Sequence, residues 1–282
     1  CAKTDEQDFS GRQVRPLLPF PVREPTGLTK KPLIVGGKNS LSNSRPWMVA
    51  ILDRGPGDVL ARFFCGASLI GPRHVVTAAH CFIGRTLDAR EIEILMGAHN
   101  LAMAGSHDVD KITLHPGFSE SVWYNDIAII RLRNRVSFGT SIRPICLPPP
   151  TARNKKFLST MTTVAGWGRI KFDGDLSEQL QEVNLPVVPN PQCNDTLLSI
   201  RGTRRRYPRG ITDTIICAGS DTPKDACEGD SGGPMFIPDR LTQHWLLIGV
   251  VSTGFQCAVP GIPAIYTRIT SYIDWINQNL NE

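Results

Sequence analysis

The stretch Asp225-Ala226-Cys227-Glu228-Gly229-Asp230-Ser231-Gly232-Gly233-Pro234 sets one serine among glycines and carboxylates. A serine hydroxyl is a weak nucleophile until a base stands beside it. Flanking glycines permit a tight turn and let a substrate carbonyl approach backbone N–H groups. Two other segments supply the missing parts. Thr77-Ala78-Ala79-His80-Cys81 holds a histidine, and Asn125-Asp126-Ile127-Ala128-Ile129 sets a carboxylate at the head of an apolar run. His80, Asp126 and Ser231 are the three parts of a relay: the serine attacks, the histidine takes and returns the proton, and the aspartate orients the histidine and stabilises its charged form. Singly, each has a plainer reading, as a surface turn, a core histidine and a strand-capping aspartate. Three in this order, each inside its own motif, are poorly explained by chance.

Such a relay needs a frame. The chain has 282 residues, 41% of them hydrophobic, enough to bury a large core in one or two domains. Its 25 glycines and 22 prolines suit short strands and loops better than long helices. Strand-length apolar runs recur at Trp47–Leu52, Ala67–Ile70, Val75–Ala79, Glu91–Met96, Ile127–Leu132, Thr162–Ala165, Leu246–Val251 and Ala264–Tyr266. Ser271–Leu280 reads as a helix, with apolar residues at 272, 273, 276 and 280 and Thr270 or Ser271 as N-cap. Asn190–Leu198 reads as a second, short helix. Residues 1–33, with Pro16, Pro19, Pro21, Pro25 and Pro32, read as a poorly ordered leading segment. The net charge of +5 is too small to argue for nucleic acid. No apolar run approaches the ~18 residues of a membrane span. The even set of eight cysteines lacks metal-ligand spacing and reads as disulfides made in an oxidising compartment, with the pairing left open. Asn194-Asp195-Thr196 is a glycosylation sequon.

From Ile34 to the C-terminus the chain resembles the chymotrypsin/trypsin family of serine proteases. The resemblance rests on Ile34-Val35-Gly36-Gly37, Thr77-Ala78-Ala79-His80-Cys81, Asn125-Asp126-Ile127-Ala128, Gly166-Trp167-Gly168, Gly229-Asp230-Ser231-Gly232-Gly233-Pro234 and Tyr266-Thr267-Arg268. It implies an all-β fold of two packed six-stranded antiparallel β-barrels with a C-terminal helix. The barrels are expected at about 34–147 and 158–270, parted near Pro148, Pro149 and Pro150. His80 and Asp126 would come from the first and Ser231 from the second. It implies the disulfides Cys65–Cys81, Cys193–Cys217, Cys227–Cys257 and Cys1–Cys146, the last tethering residues 1–33 after a cut. It also implies a zymogen. Cleavage before Ile34 would free an ammonium that pairs with Asp230, and the N–H groups of Gly229 and Ser231 would then form the oxyanion hole. The residue before Ile34 is Leu33, where the family usually has Arg or Lys, so the activating protease is expected not to be trypsin-like.

The same resemblance places Asp225 on the floor of the specificity pocket, to receive a substrate Arg or Lys. Ser252-Thr253-Gly254 becomes a wall that offers main-chain hydrogen bonds. Thr253 stands where tryptophan is common, and Ala264 where glycine is common, narrowing the pocket. Glu228 at the cleft rim is expected to disfavour acidic substrate residues. The stretch 97–105 has no carboxylate, so no calcium is expected there. Between Cys193 and Cys217 lies an insertion with Arg201, Arg204, Arg205, Arg206 and Arg209. Such a run is commonly a solvated face, and the sharper reading is an exosite for an acidic partner, a sulfated glycan or a microbial polyanion.

These readings converge on a secreted, monomeric endopeptidase zymogen that cleaves after Arg or Lys without a cofactor. Its leader would already be removed. Phrases such as Arg45-Pro46-Trp47-Met48-Val49-Ala50 are similar to arthropod haemolymph proteases of clotting and innate immunity. That points to a zymogen as protein substrate, an upstream activating protease and a serpin-type inhibitor. The cysteine-rich clip domain of such proteases is not in this sequence, and its earlier removal is left open. A digestive or venom protease is the alternative, and a non-catalytic homologue that acts by binding is a third reading.

Overall fold

The computed structural model describes Cys1 and residues 37–85, 87–153, 155–169, 174–223, 226–239, 241–254 and 259–281. Short apolar runs broken by glycine and proline form thirteen strands there, β1 being Lys38–Asn39. The first barrel is β2 (Met48–Asp53), β3 (Phe63–Leu69), β4 (His74–Thr77), β5 (Ile92–Met96), β6 (Gly105–Leu114) and β7 (Ala128–Leu132), closed in the order β2-β3-β4-β7-β6-β5. The second is β8 (Met161–Gly166), β9 (Gln181–Val188), β10 (Ile215–Ala218), β11 (Pro234–Asp239), β12 (His244–Thr253) and β13 (Ala264–Arg268). Its order is β9-β10-β13-β12-β11-β8, and β8 pairs with β9 to close it. The fold is thus two closed six-stranded antiparallel barrels with few helices.

One boundary differs from the expected 34–147 span of the first barrel. β1 joins the edge of the second, with Lys38 opposite Glu182 on β9. Beside this pairing the buried Glu182 carboxylate meets Lys38 Nζ at 3.2 Å and Arg45 at 3.0 Å.

Most barrel strands are buried on both faces rather than alternating, since one face fills a barrel and the other is covered by neighbouring structure. β2 buries Met48 to Leu52 without a break, because one face fills the barrel and the other meets the second barrel. There Trp47 packs edge-on against Phe236 of β11, centroids 5.2 Å apart, and Trp245 of β12 lies against both rings. A separate apolar cluster, including Val164, Leu185, Met235, Ile248 and Tyr266, fills the second barrel.

Among the described residues, four helices decorate the barrels: α1 (Val59–Arg62), α2 (Asn190–Leu198), α3 (Thr203–Arg206) and α4 (Ile273–Leu280). The expected Thr270 or Ser271 cap on α4 is not used. A 3₁₀ turn over Ile269–Ser271 precedes the helix, Tyr272 occupies the cap position, and Ser271 Oγ donates to Asp213 O instead. Disulfides join Cys1 to Cys146, Cys65 to Cys81 and Cys193 to Cys217. Cys227 is also disulfide-bonded, and the expected partner Cys257 lies outside the described residues. Among the described residues no helix is long and apolar enough to cross a membrane.

Candidate active site

β4 ends at Thr77, and a 3₁₀ turn over Ala79–Phe82 carries His80 into the cleft between the barrels. Asp126 precedes β7 and is reached through Asn125, which takes a left-handed φ of 56°. Asparagine tolerates that conformation better than most residues. Here its amide also donates to Gly117 O and its Oδ1 accepts from Tyr272 Oη. Asp126 is 1% exposed. One carboxylate oxygen accepts the His80 N–H at 2.8 Å, and the other meets His80 Nδ1 at 2.8 Å and accepts from Ser252 Oγ. Burial pushes this carboxyl up. The charge and ring of His80, the Ser252 hydroxyl and the His80 amide together outweigh it and hold the group below the usual carboxylate range. Paired in this way, Asp126 fixes the His80 ring and leaves Nε2 to exchange a proton.

Ser231 comes from the second barrel, in the turn before β11, and lies in the same cleft as His80. Among the described residues no hydrogen bond joins Ser231 Oγ to His80, and none takes up the N–H of Gly229 or Ser231. Gly229, with φ +93°, turns the chain so that these N–H groups are left unused. Behind them Asp230 is fully buried. It accepts from Cys227 N–H at 2.8 Å and Gly168 N–H at 2.9 Å. Burial raises its carboxyl to about 6, and those two bonds only partly offset it. The Gly166-Trp167-Gly168 motif gains a physical reason here: a Cβ on Gly166 or Gly168 would fall 2.1 or 2.6 Å from an Asp230 oxygen.

The cleft holds a cavity of about 210 Å³ lined by Ser252, Thr253, Gly254 and Ala264 as well as His80 and Ser231. Ala264, 3% exposed at the start of β13, lines that wall. Glu228 stands at the rim with its carboxylate 60% exposed and accepts from Arg169 Nε at 2.8 Å. A neighbouring cation thus stands against its charge. Asp225, Leu33 and Ile34 lie outside the described residues.

The Trypsin family model matches residues 34–276. The chain belongs to the trypsin family. It is 42% identical over 252 residues to a venom protease of Bombus pensylvanicus, covering 86% of this chain and 96% of that one. It is 36% identical over 249 residues to the clotting factor G beta subunit of Tachypleus tridentatus, covering 87% and 79% respectively. It is 35% identical over 284 residues to the proclotting enzyme of the same organism, covering 95% and 71%.

In this trypsin-family site some residues take roles that the sequence reading did not give them, and others were not singled out at all. Ser252 serves Asp126 through its side chain, and Thr267 Oγ1 donates to Asp126 O at 2.7 Å. Trp123 stacks on His80, centroids 5.1 Å apart and planes 12° apart. Arg169 answers Glu228. Trp123 and Arg169 each lie within three residues of a recognised motif, so position was the one available signal. The sequon residue Asn194 sits inside α2, and its Oδ1 accepts the Ile211 N–H at 3.0 Å. A glycan on its Nδ2 would have to leave that bond in place.

Proposed function

We propose that this trypsin-family protein is a secreted serine endopeptidase, present here as the uncut zymogen, that hydrolyses peptide bonds after Arg or Lys through an acyl-enzyme. The observation that carries the reading is the meeting of Ser231, His80 and a doubly anchored, buried Asp126 on one cleft. Ser231 Oγ attacks the scissile carbonyl while His80 takes its proton. Asp126 stays ionised and stabilises the imidazolium. The N–H groups of Gly229 and Ser231 receive the developing oxyanion. His80 then gives its proton to the leaving amine, and water repeats the sequence on the acyl-enzyme. Asp225 pairs with the substrate Arg or Lys, and Ala264 shortens the room beside it.

In this reading Asp230 is the switch. A fully buried carboxyl with two N–H donors and a raised affinity for its proton is a site that a cation would stabilise. The ammonium released by cutting Leu33–Ile34 supplies that cation, and Cys1–Cys146 keeps residues 1–33 attached. The clotting and proclotting names among its relatives support limited proteolysis of another zymogen, with an upstream activating protease and a serpin-type inhibitor as partners. The venom-protease relative supports the alternative of a venom enzyme with broader cleavage. The test is amidase activity on small Arg, Lys, Phe and Ala substrates before and after cutting at Leu33–Ile34. Turnover of Arg or Lys substrates only after cutting is expected. Absence of turnover, with Ile34 verified as N-terminus and Ser231 unlabelled by an active-site reagent, would defeat the reading. Broad cleavage of denatured proteins would favour the venom alternative.

A further inference from the structure

The insertion between Cys193 and Cys217 has no part in the hydrolytic relay, yet it is built against it. Gly202, with φ +93°, turns the chain into α3, and Thr203 and Tyr207 anchor that turn, each 1% exposed. The platform is fastened to the residues just before Asp126. Trp123 N–H donates to Arg206 O at 3.1 Å. Tyr124 Oη donates to Gly210 O at 2.9 Å and accepts from Arg209 N–H at 2.8 Å. Tyr207 meets Tyr124 edge to face, centroids 5.7 Å apart.

This fastening aims two charges. The Arg206 guanidinium lies 4.3 Å from the Trp123 ring centroid, and that of Arg209 lies 4.3 Å from the Tyr124 centroid. A guanidinium laid on a ring face is held in place while its in-plane N–H groups stay free for a carboxylate. Both arginines are exposed, and neither is paired with a carboxylate among the described residues. Trp123 itself lines the cleft, stacked on His80 and held by its indole N–H, which donates to Glu120 O at 2.9 Å. The two stacking distances put the Arg206 guanidinium within about 10 Å of the His80 ring, about three residues of extended chain at ~3.3 Å each.

We propose that Arg206 and Arg209 form an acid-selecting subsite, so that the protein substrate carries Asp or Glu about three residues from its scissile bond, beside Trp123. The inference rests on the hydrolytic reading above and names a feature of its substrate. An acidic side chain laid along the ring edge takes a bidentate bond from the pre-set guanidinium, with little side-chain freedom left to lose.

The experiment uses the activated protein and fluorogenic peptides with Arg at the cut site, alanine elsewhere, and one Glu moved through the four positions on each side. Glu is expected to raise kcat/KM about fivefold over Ala at one position or two adjacent ones. The gain should appear mainly in KM, shrink in high salt, and vanish in Arg206→Gln with Arg209→Gln. No preferred position, or a preference that survives both substitutions, overturns the proposal. The all-Ala peptide tests the hydrolytic reading by itself. If the activated protein does not turn it over, binding of the same peptides to Ser231→Ala decides the subsite without catalysis. Retention on a sulfated polysaccharide column that falls in the arginine variants, with peptide preference unchanged, assigns the charges to a polyanion and also overturns it.

Discussion

Asp230 gives the sharpest test, because its environment makes stability depend on pH in a way that cutting the chain should reverse. Its carboxyl stands at about 6 in the fold, raised from 3.8 by complete burial. The shift of about two units corresponds to about 3 kcal/mol at 1.36 kcal/mol per unit. A raised carboxyl pKa means that the folded uncut protein holds this proton more tightly than the unfolded chain does. The group therefore costs nothing below about pH 4, costs progressively more as pH rises toward 6, and carries the full ~3 kcal/mol above that. In the proposed switch, pairing with the Ile34 ammonium would remove the cost. An adjacent opposite charge favours the charged form of each partner, so the carboxyl would give up its proton more readily and the amine would keep its own. Such a pair would be most stabilising near neutral pH, weakening in acid as the carboxylate is protonated and in alkali as the amine loses its proton.

The assay is denaturant unfolding of cut and uncut protein from pH 4 to 7. His74 and the partly buried His99, His107 and His115, whose proton affinity is lowered by burial, and the paired carboxylate of Glu93 push stability the other way, but they are common to both forms. The difference between the two curves therefore isolates the switch. It should grow in favour of the cut form by about 3 kcal/mol between pH 4 and pH 7, and Asp230→Asn should flatten it. Parallel curves would refute the reasoning, since they would mean that the Asp230 carboxyl gains no cation on cutting.

Ser252→Ala removes one donor from the buried Asp126 carboxylate while leaving both His80 bonds. With hydrogen bonds to charged groups worth about 1.5–3 kcal/mol, kcat should fall about tenfold or more with KM little changed. Gly168→Ala places a methyl 2.6 Å from the Asp230 carboxyl carbon and 2.8 Å from its backbone nitrogen. Overpacking of this kind costs about 1–3 kcal/mol, so thermal unfolding should show a lowered Tm and activity should be lost together with the N–H pair at Gly229 and Ser231. Ala264→Gly removes the methyl on the cavity wall, at about 0.5–1 kcal/mol of backbone entropy. Steady-state kinetics should show kcat/KM rising severalfold on Arg and Lys peptides, and an unchanged value would mean that this methyl does not limit the pocket.

His80, Asp126 and Ser231 could be picked out as candidates in the sequence because each sits in a local motif whose neighbours have their own steric reason. Gly168 clears space for Asp230, and Asn125 supplies the left-handed turn into Asp126. Strands with an unbroken buried face, such as β2 and β7, were legible as apolar runs. β6 was not, because Gly105–Leu114 buries only Val109 and Ile112 fully and presents polar side chains over most of its length. β9 and β11 carry Pro186, Pro234 and Pro238, which read as breaks although edge and barrel positions tolerate them. Ser252 was legible as a wall residue but not as a donor to Asp126. The two lie 126 positions apart, and only barrel packing brings them together.

That long-range bond is one of a reciprocal pair that explains why the site needs both barrels. Asp126 enters from the first barrel, yet Ser252 on β12 and Thr267 on β13 hold its carboxylate and its carbonyl. Ser231 enters from the second barrel, yet its carbonyl accepts the Gly66 N–H of β3 at 2.7 Å. Each barrel thus grips the other's contribution to the relay. Sliding one past the other would strip donors from a buried carboxylate, which is expensive where no water can replace them. The apolar seam of Trp47, Phe236 and Trp245 resists the same sliding by packing. In the proposed mechanism, alignment of Ser231 with His80 is therefore the register of the two barrels. A displacement of about 1 Å at a reacting group can cost about a hundredfold in rate. A cavity opened in that seam, far from Ser231, should accordingly lower kcat well before it unfolds the chain.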